Sequence, residues 1–291
     1  LGDTAQGPGK LYLCATPIGN LEDITLRALA TLREVDLVAA EDTRRTRRLF
    51  SRHDIHTRLL SYREENRESA GAKIIVRLEE GADVALVSDA GTPGISDPGH
   101  HLVTMCIERG ITVEAVPGPN AAITALVISG LPTTRFTFEG FLPRKPGARR
   151  KVLAALAGDA RTLIFYESPN RLLATLEDIR EVLGDRPAAI ARELTKKFEE
   201  VMRGSISTLL DELASRQVKG EIVLVVQGAT AAPGADVDRE AMVDEVLHLK
   251  ETGLSLKEAV AVVVEEMGPG TSRSALYNAA LERSRDASEG G

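Results

Sequence analysis

Val84-Ala-Leu-Val-Ser88 runs directly into Asp89-Ala-Gly-Thr-Pro-Gly-Ile-Ser-Asp-Pro-Gly99, and this stretch decides the fold. An unbroken apolar run closed by turn residues reads as a strand buried on both faces, the habit of parallel sheets. The eleven residues after it hold three glycines, two prolines and two aspartates, and residues 98–109 then read as a helix. A plain strand-to-helix connection needs only about two to six residues. In open α/β sheets ligands sit outside the carboxyl ends of the strands, and glycine lets a ligand come close to the backbone. The stretch therefore reads as a ligand loop, with a rigid connection as the alternative.

The same pattern extends outward in both directions. Residues 11–16, 36–40 and 111–116 read as strands. Helices are expected over 23–34, with Leu26, Leu29 and Leu32 on one face, over 43–50, and from an N-cap at Asn66 to Glu80, with Gly81 at C′. This alternation implies an α/β domain over 10–118, its mostly parallel sheet covered on both faces. A second α/β domain is expected over 119–228, with helices at 120–130 and 150–156 and strands at 136–140 and 162–167. Ser168-Pro169 reads as an N-cap followed by a first-turn proline, for a helix ending near Gly184. Strands follow at 188–194, 199–206 and 221–228, the last two expected as antiparallel neighbours. Residues 229–238 read as a linker. Helices at 239–251, 256–267 and 272–282 then close the chain as a small helical module. Its signals are a Ser255/Glu258 capping box, a turn at 267–272 and Ser272 as N-cap. Residues 1–9, small, polar and Gly/Pro-rich, read as a disordered leader.

Composition removes several classes of function. The 291 residues are 43% hydrophobic and 27% charged, which is globular rather than disordered. The longest nearly apolar run, 121–131, falls far short of the ~20 residues a membrane helix needs. Two cysteines, Cys14 and Cys106, cannot build a disulfide framework, and the five histidines show no metal-ligand spacing. The expectation is a reduced, cytoplasmic protein without metal or membrane. A net charge of −7 argues against a coat for nucleic acid but leaves room for local basic patches.

Three more stretches stand at strand ends. Ala15-Thr-Pro-Ile-Gly-Asn-Leu-Glu-Asp-Ile-Thr25 is neither a Walker A loop nor G-x-G-x-x-G. Val116-Pro-Gly-Pro-Asn120 reads as a second ligand loop or as a turn capped by Asn120. Glu41-Asp42 could serve as general base or ligand-hydroxyl acceptor, or could complement the dipole of the following helix. Arg44, Arg45, Arg47 and Arg48 suit phosphate contacts, with a solvated helix face as the alternative. Arg144 and Lys145, beside Arg149 to Lys151, form a second basic cluster. Arg192, Lys196 and Lys197 form a third. With aromatics at 3% and no tryptophan, binding to nucleic acid would lean on phosphates and hence on salt.

Seven stretches in order carry a resemblance: 17–25, 40–44 (Ala-Glu-Asp-Thr-Arg), 88–99, 117–120, 139–144 (Glu-Gly-Phe-Leu-Pro-Arg), 166–171 (Tyr-Glu-Ser-Pro-Asn-Arg) and 191–196 (Ala-Arg-Glu-Leu-Thr-Lys). Together they resemble the bacterial small-subunit ribosomal RNA (cytidine-2′-O)-methyltransferases, in the tetrapyrrole-methylase (class III) group of S-adenosylmethionine enzymes. The resemblance implies two α/β domains with S-adenosyl-L-methionine folded between them, and a small helix-turn-helix-like C-terminal module over 239–285. It places the cofactor on Pro17, Ile18 and Gly19, on Ser88, Asp89, Ala90, Gly91 and Gly94, on Asn120, Ala121 and Ala122, and on Tyr166, Glu167 and Leu194. Ser88-Asp89-Ala90 stands where tetrapyrrole relatives carry Gly-Asp-Pro, which favours the RNA branch.

The implied reaction moves a methyl group from a sulfonium to a ribose 2′-hydroxyl, on a cytidine in the decoding region of 16S rRNA within the small ribosomal subunit. The leaving group is already cationic, so no metal is required. The hydroxyl is a poor nucleophile and needs alignment and a base, for which Glu41 is the first candidate and Asp42 the second. Arg44, Arg45, Arg47, Arg48, Arg144, Lys145, Arg192 and Lys196 would hold RNA, and a homodimer is expected. The competing readings are methylation of a tetrapyrrole precursor and a non-enzymatic RNA-binding assembly factor.

Overall fold

The computed structural model describes residues 7–230, 239–267 and 273–289. The chain divides into two compact units, residues 1–228 and 229–291.

The first part of unit one is β1 (Leu11–Cys14), α1 (Leu26–Glu34), β2 (Leu37–Ala40), α2 (Thr43–His53), β3 (Leu59–Ser61), α3 (Arg67–Glu79), β4 (Val84–Val87), α4 (His100–Glu108) and β5 (Val113–Val116). Its five strands lie in the order β3-β2-β4-β1-β5, and every pairing is parallel. Side chains alternate along a strand, so each strand feeds two cores. Val38, Ala40, Ala85 and Val87 pack under α1 and α2 with Leu32, Leu49 and Phe50. Ala39, Val84 and Leu86 pack under α3 and α4 with Ile74, Leu78, Leu102 and Cys106. All five strands point the same way, so the loops after β1, β2, β4 and β5 share one edge of the sheet.

Two local expectations change here. A 3₁₀ turn at Leu21–Asp23 precedes Thr25, which caps α1 by accepting the Ala28 N–H at 3.1 Å. The buried face of α1 is Ala28 and Leu32, while Leu26 is 87% exposed. Leu26 lies two residues, about 200° of helix rotation, before Ala28. Asn66 spends its side-chain oxygen on the Arg63 N–H at 2.7 Å rather than on α3. The short strand β3 carried no sequence signal of its own.

The rest of unit one is α5 (Ala121–Ser129), β6 (Phe136–Phe141), α6 (Pro146–Ala155), β7 (Thr162–Glu167), α7 (Leu172–Leu183), β8 (Pro187–Arg192), β9 (Glu200–Ser205), α8 (Ile206–Leu213) and β10 (Ile222–Val226). The second sheet runs β6-β7-β10-β8-β9, with only β6 and β7 parallel. The expected pairing of 199–206 with 221–228 does not form, because β8 lies between them. The Ile-Val-Leu-Val-Val of β10 is buried on both faces and belongs in the sheet centre, whereas β9 carries Glu200, Arg203 and Ser205 and takes the edge. Helix α7 starts at Leu172 with Arg171 as N-cap, not at Ser168. The Ser168 N–H instead donates to Glu167 Oε1 at 2.7 Å. Helix α8 went unread in the sequence.

One face of this sheet is covered by α6, α7 and α8 through Leu163, Phe165, Ile190 and Leu224. The other face is covered by α5, and Ile18 from the loop after β1 reaches onto it beside Ile164, Leu194 and Val223. That contact joins the strand-end edge of the first sheet to the apolar face of the second.

Unit two consists of α9 (Arg239–Glu251), α10 (Leu256–Met267) and α11 (Arg273–Glu289) around Val246, Val260, Val263, Leu276 and Ala280. The capping box forms: the Ser255 N–H donates to Glu258 Oε2 at 2.9 Å and the Glu258 N–H to Ser255 Oγ at 3.3 Å. Residues 1–6, 231–238 and the turn with Ser272 lie outside the described residues.

Candidate active site

A cavity of about 420 Å³ opens where the loops of the first sheet overhang the second, within the ~300–1,000 Å³ typical of small-molecule sites. Ile18, Ala121, Leu194, Ile222, Val223 and Tyr166 make its apolar wall. Glu41, Asp89, Asp97 and Glu221 make an acidic side, with Arg45 as its cation.

The loops are held in place by backbone contacts. Thr16 and Gly91 exchange both N–H···O bonds, at 2.8 and 3.0 Å, and so clip the loop after β1 to the loop after β4. Gly91 does this at φ +78°, where a side chain is strained. A Cβ on Gly19 would fall 2.6 Å from Lys196 Cγ and 2.8 Å from the Leu194 carbonyl. Glycine there lets the first loop press against the loop after β8, and the Asn20 N–H donates to Thr195 Oγ1 across the same seam at 2.9 Å.

The acidic side is a linked group. Asp89 accepts the Asp42 N–H on Oδ1 at 2.9 Å and faces Arg45 at 3.4 Å. Burial, and then the charge of Asp89, push the Glu41 carboxyl above its ordinary range. Burial and the charge of Glu41 lift Asp97 to about 6. Asp42 is different in kind. It caps α2 through the Arg44 N–H at 2.8 Å, and its hydrogen bonds with Arg44 hold its carboxyl down at about 2.

Of the residues singled out in the sequence, the cavity gathers Ile18, Glu41, Arg45, Asp89, Ala90, Gly91, Asn120, Ala121, Tyr166, Glu167 and Leu194. An adjoining hollow, sharing Ile18, Asp89 and Ala90 with it, takes in Pro17, Gly19, Arg48, Ser88 and Lys196. Asp42, Gly94 and Ala122 line neither, and nor do Arg44, Arg47, Arg144, Lys145 and Arg192. Helix α2 thus divides its arginines: Arg45 and Arg48 line the site, Arg44 pairs with Asp42 at 3.2 Å, and Arg47 lies beside Asp54 and His56. Arg192 pairs with Glu200 at 3.1 Å, and Lys196 pairs with Glu193 at 2.9 Å and Glu221 at 3.0 Å. Glu167 is buried and accepts from Thr175 Oγ1 at 2.7 Å and Arg171 Nη2 at 3.2 Å, so it also anchors the start of α7. Asp97, Thr92 and Phe141 were missed, although all three stand inside motifs quoted above. Ile222, Val223 and Glu221 were missed because they read as ordinary strand.

The lining fits S-adenosylmethionine. Apolar walls with Tyr166 suit a purine, and a cluster of carboxylates suits a ligand carrying a sulfonium and an ammonium. Gly91 leaves the floor between Ile18 and Pro119 without a side chain.

Residues 10–210 match the family model for Tetrapyrrole (Corrin/Porphyrin) Methylases. Solved structures share the fold. Cobalt precorrin-4 methyltransferase, a cobalamin biosynthetic enzyme, superposes with a TM-score of 0.59 at 19% identity, covering 75% of this chain and 94% of that one. Diphthine synthase superposes at 0.60 and 16% identity, covering 76% and 91%. The molecule is a methyltransferase of this class. Sequence relatives narrow the class further. Ribosomal RNA small subunit methyltransferase I of Halalkalibacterium halodurans is 48% identical over 89% of this chain and 91% of its own length. The proteins of that name from Escherichia coli O157:H7 and Pseudomonas aeruginosa are 48% and 49% identical, covering 97% and 94% of this chain and 97% and 98% of their own. The chain belongs to the tetrapyrrole methylase family, in its ribosomal RNA small subunit methyltransferase I branch.

Proposed function

We propose that the protein methylates the 2′-hydroxyl of a cytidine in the decoding region of 16S rRNA, within the small ribosomal subunit, using S-adenosyl-L-methionine. The observation that carries this is the cavity itself: it sits among the strand-end loops of a chain nearly half identical, end to end, to a protein named ribosomal RNA small subunit methyltransferase I. The bound cofactor supplies an electrophilic methyl group. The chain's own residues do the rest. Ile18, Ala121, Leu194 and Val223 exclude water from the wall, and Asp89 and Asn120 offer polar contacts at the loop ends.

Glu41 is the base in this reading. It lines the cavity, and its raised pKa brings it nearer to what a proton acceptor at neutral pH requires. Asp42, held low by Arg44 and turned out of the cavity, is the start of α2. Arg45 and Arg48 present cations on the site side of α2 for RNA phosphates, with Arg144 and Lys145 further along the chain. Residues 10–118 and 119–228 act as the two halves of the catalytic body, and 239–285 as an accessory module for ribosomal RNA. The protein works in the cytoplasm as a homodimer. Among the described residues no helix is long and apolar enough to cross a membrane.

The test is to map 2′-O-methyl nucleotides in small-subunit RNA from cells with and without the protein, then to restore the mark on purified subunits with labelled cofactor. Loss and recovery of one cytidine mark support the reading. An unchanged methyl map, with no transfer in vitro, overturns it.

A further inference from the structure

A second hollow of about 620 Å³ is lined by Phe141, Leu142, Pro143, Arg144, Asn170 and Arg171. Phe141 and Ser168 line both this hollow and the ligand cavity, so the two adjoin. Phe141 ends the edge strand β6 and is 58% exposed. Its ring stands edge-on to Tyr166, 5.6 Å between centroids, and Tyr166 stands edge-on to Phe138 at 4.9 Å. The ring is thus packed against Tyr166 and more than half exposed. The loop after it is anchored as well: Leu142 is buried and its carbonyl accepts Arg171 Nη2 at 2.6 Å.

The cations nearby differ in what they already do. Arg149 and Arg150 both close on Asp178, at 2.5 and 2.6 Å. Arg144 is exposed and makes no hydrogen bond or ion pair among the described residues. A rigid exposed ring, a free guanidinium and an exposed amide at Asn170 are together the three contacts that a nucleotide uses: a stacking face, a phosphate ligand and a partner for the base edge. In the reading above the ribose hydroxyl reacts in the ligand cavity, and the base bonded to that ribose must lie beside it, where this hollow adjoins.

We propose that this hollow receives the base of the methylated nucleotide, stacked on Phe141, with a flanking phosphate on Arg144. The assignment rests on the rRNA-methylating reading above and adds a base subsite to it. The target must then be turned out of its stack, which costs least in a loop or another single-stranded segment.

The chain contains no tryptophan, so Phe141→Trp creates a single indole fluorophore. Its emission should be quenched when unmethylated small ribosomal subunits are added. Phe141→Leu should raise KM for those subunits roughly ten- to a hundredfold, the effect of losing one base–aromatic stack, with the melting temperature retained. Phe141→Tyr should restore KM. An unchanged KM in Phe141→Leu overturns the subsite. So does a Phe141→Trp emission that depends on protein concentration without RNA, which would mean that a second copy of the chain covers the ring. If the unsubstituted protein transfers no methyl group to the subunits, the underlying reading falls, and the subsite falls with it.

Discussion

The backbone N–H of Asp89 donates to Oε2 of Glu41 across 3.3 Å, although the two residues are 48 positions apart in the chain. Neighbouring strands β2 and β4 bring their ends together, and each end then holds the other, since Asp89 Oδ1 takes the Asp42 N–H in return. Glu41 is thereby oriented by backbone rather than by a mobile partner. Glu41→Gln keeps shape and hydrogen bonding but cannot accept a proton. Turnover should fall by roughly 10²–10⁴ while cofactor and RNA still bind, and Asp42→Asn should cost less. In the unsubstituted enzyme kcat should rise with pH through the raised pKa of Glu41, since only the carboxylate accepts the proton. Single-turnover methylation against pH checks both, and the reverse ranking moves the proton to Asp42.

Asp97 makes folding pH-dependent in a defined direction. Its folded pKa, about 6, lies above the ordinary 3.8. The native state therefore holds a proton that the unfolded chain has already released between these values, and stability falls as pH rises from about 4 to 6. Asp97→Asn should melt higher than the parent at pH 7.5, with the gap closing below pH 4. Thermal denaturation across that range reads the difference, and a gap that widens in acid contradicts the burial of this carboxyl.

Salt dependence should separate the arginines of α2. Arg48 lines the site and forms no ion pair among the described residues, whereas Arg44 is already neutralised by Asp42. Arg48→Ala should reduce the slope of log affinity against log salt by about one phosphate contact, and Arg44→Ala by less. Equal slopes in both variants would return these arginines to a solvated helix face.

The basic cluster at 149–151 is in part structural. Arg149 and Asp178 are each about 4% exposed and meet at 2.5 Å. Burial alone would raise the Asp178 carboxyl, but Arg150 and Arg149 bring it below its ordinary range. Asp178→Ala should destabilise by about 3–5 kcal/mol, because it strands a buried guanidinium. A urea titration measures this, and a loss below 1 kcal/mol would mean that water reaches the pair.

The core of unit two is built from its own three helices. A chain ending at Gly228 should therefore fold and bind cofactor while methylating ribosomal subunits poorly. Calorimetry with the cofactor and a methyl-transfer assay give the two readings independently. Full activity of the shortened chain would remove 229–291 from substrate recognition.

Local chemistry determined much of this protein from the sequence alone. Apolar runs of four or five residues alternating with helical stretches read as buried strands of a parallel sheet, and the long loops after them then lie at strand ends. That placed Ile18, Glu41, Asp89, Gly91 and Asn120 near one edge before any coordinates. The tertiary structure decided everything that depends on which partner arrives from a distance. Asp42 and Glu41 are adjacent carboxylates in sequence, yet one caps a helix and the other lines the cavity, because Asp42 is taken by the first turn of α2 while Glu41 is held by the Asp89 N–H from beyond β4. Arg144 and Arg149 belong to one basic cluster, yet only Arg149 meets a buried aspartate 29 residues further on. Strand β10 lies between β7 and β8, and while its apolar run marks it as central, nothing local to it names those two neighbours. Register, pairing and charge neutralisation are set by contacts tens of residues away, so no local window of residues contains them.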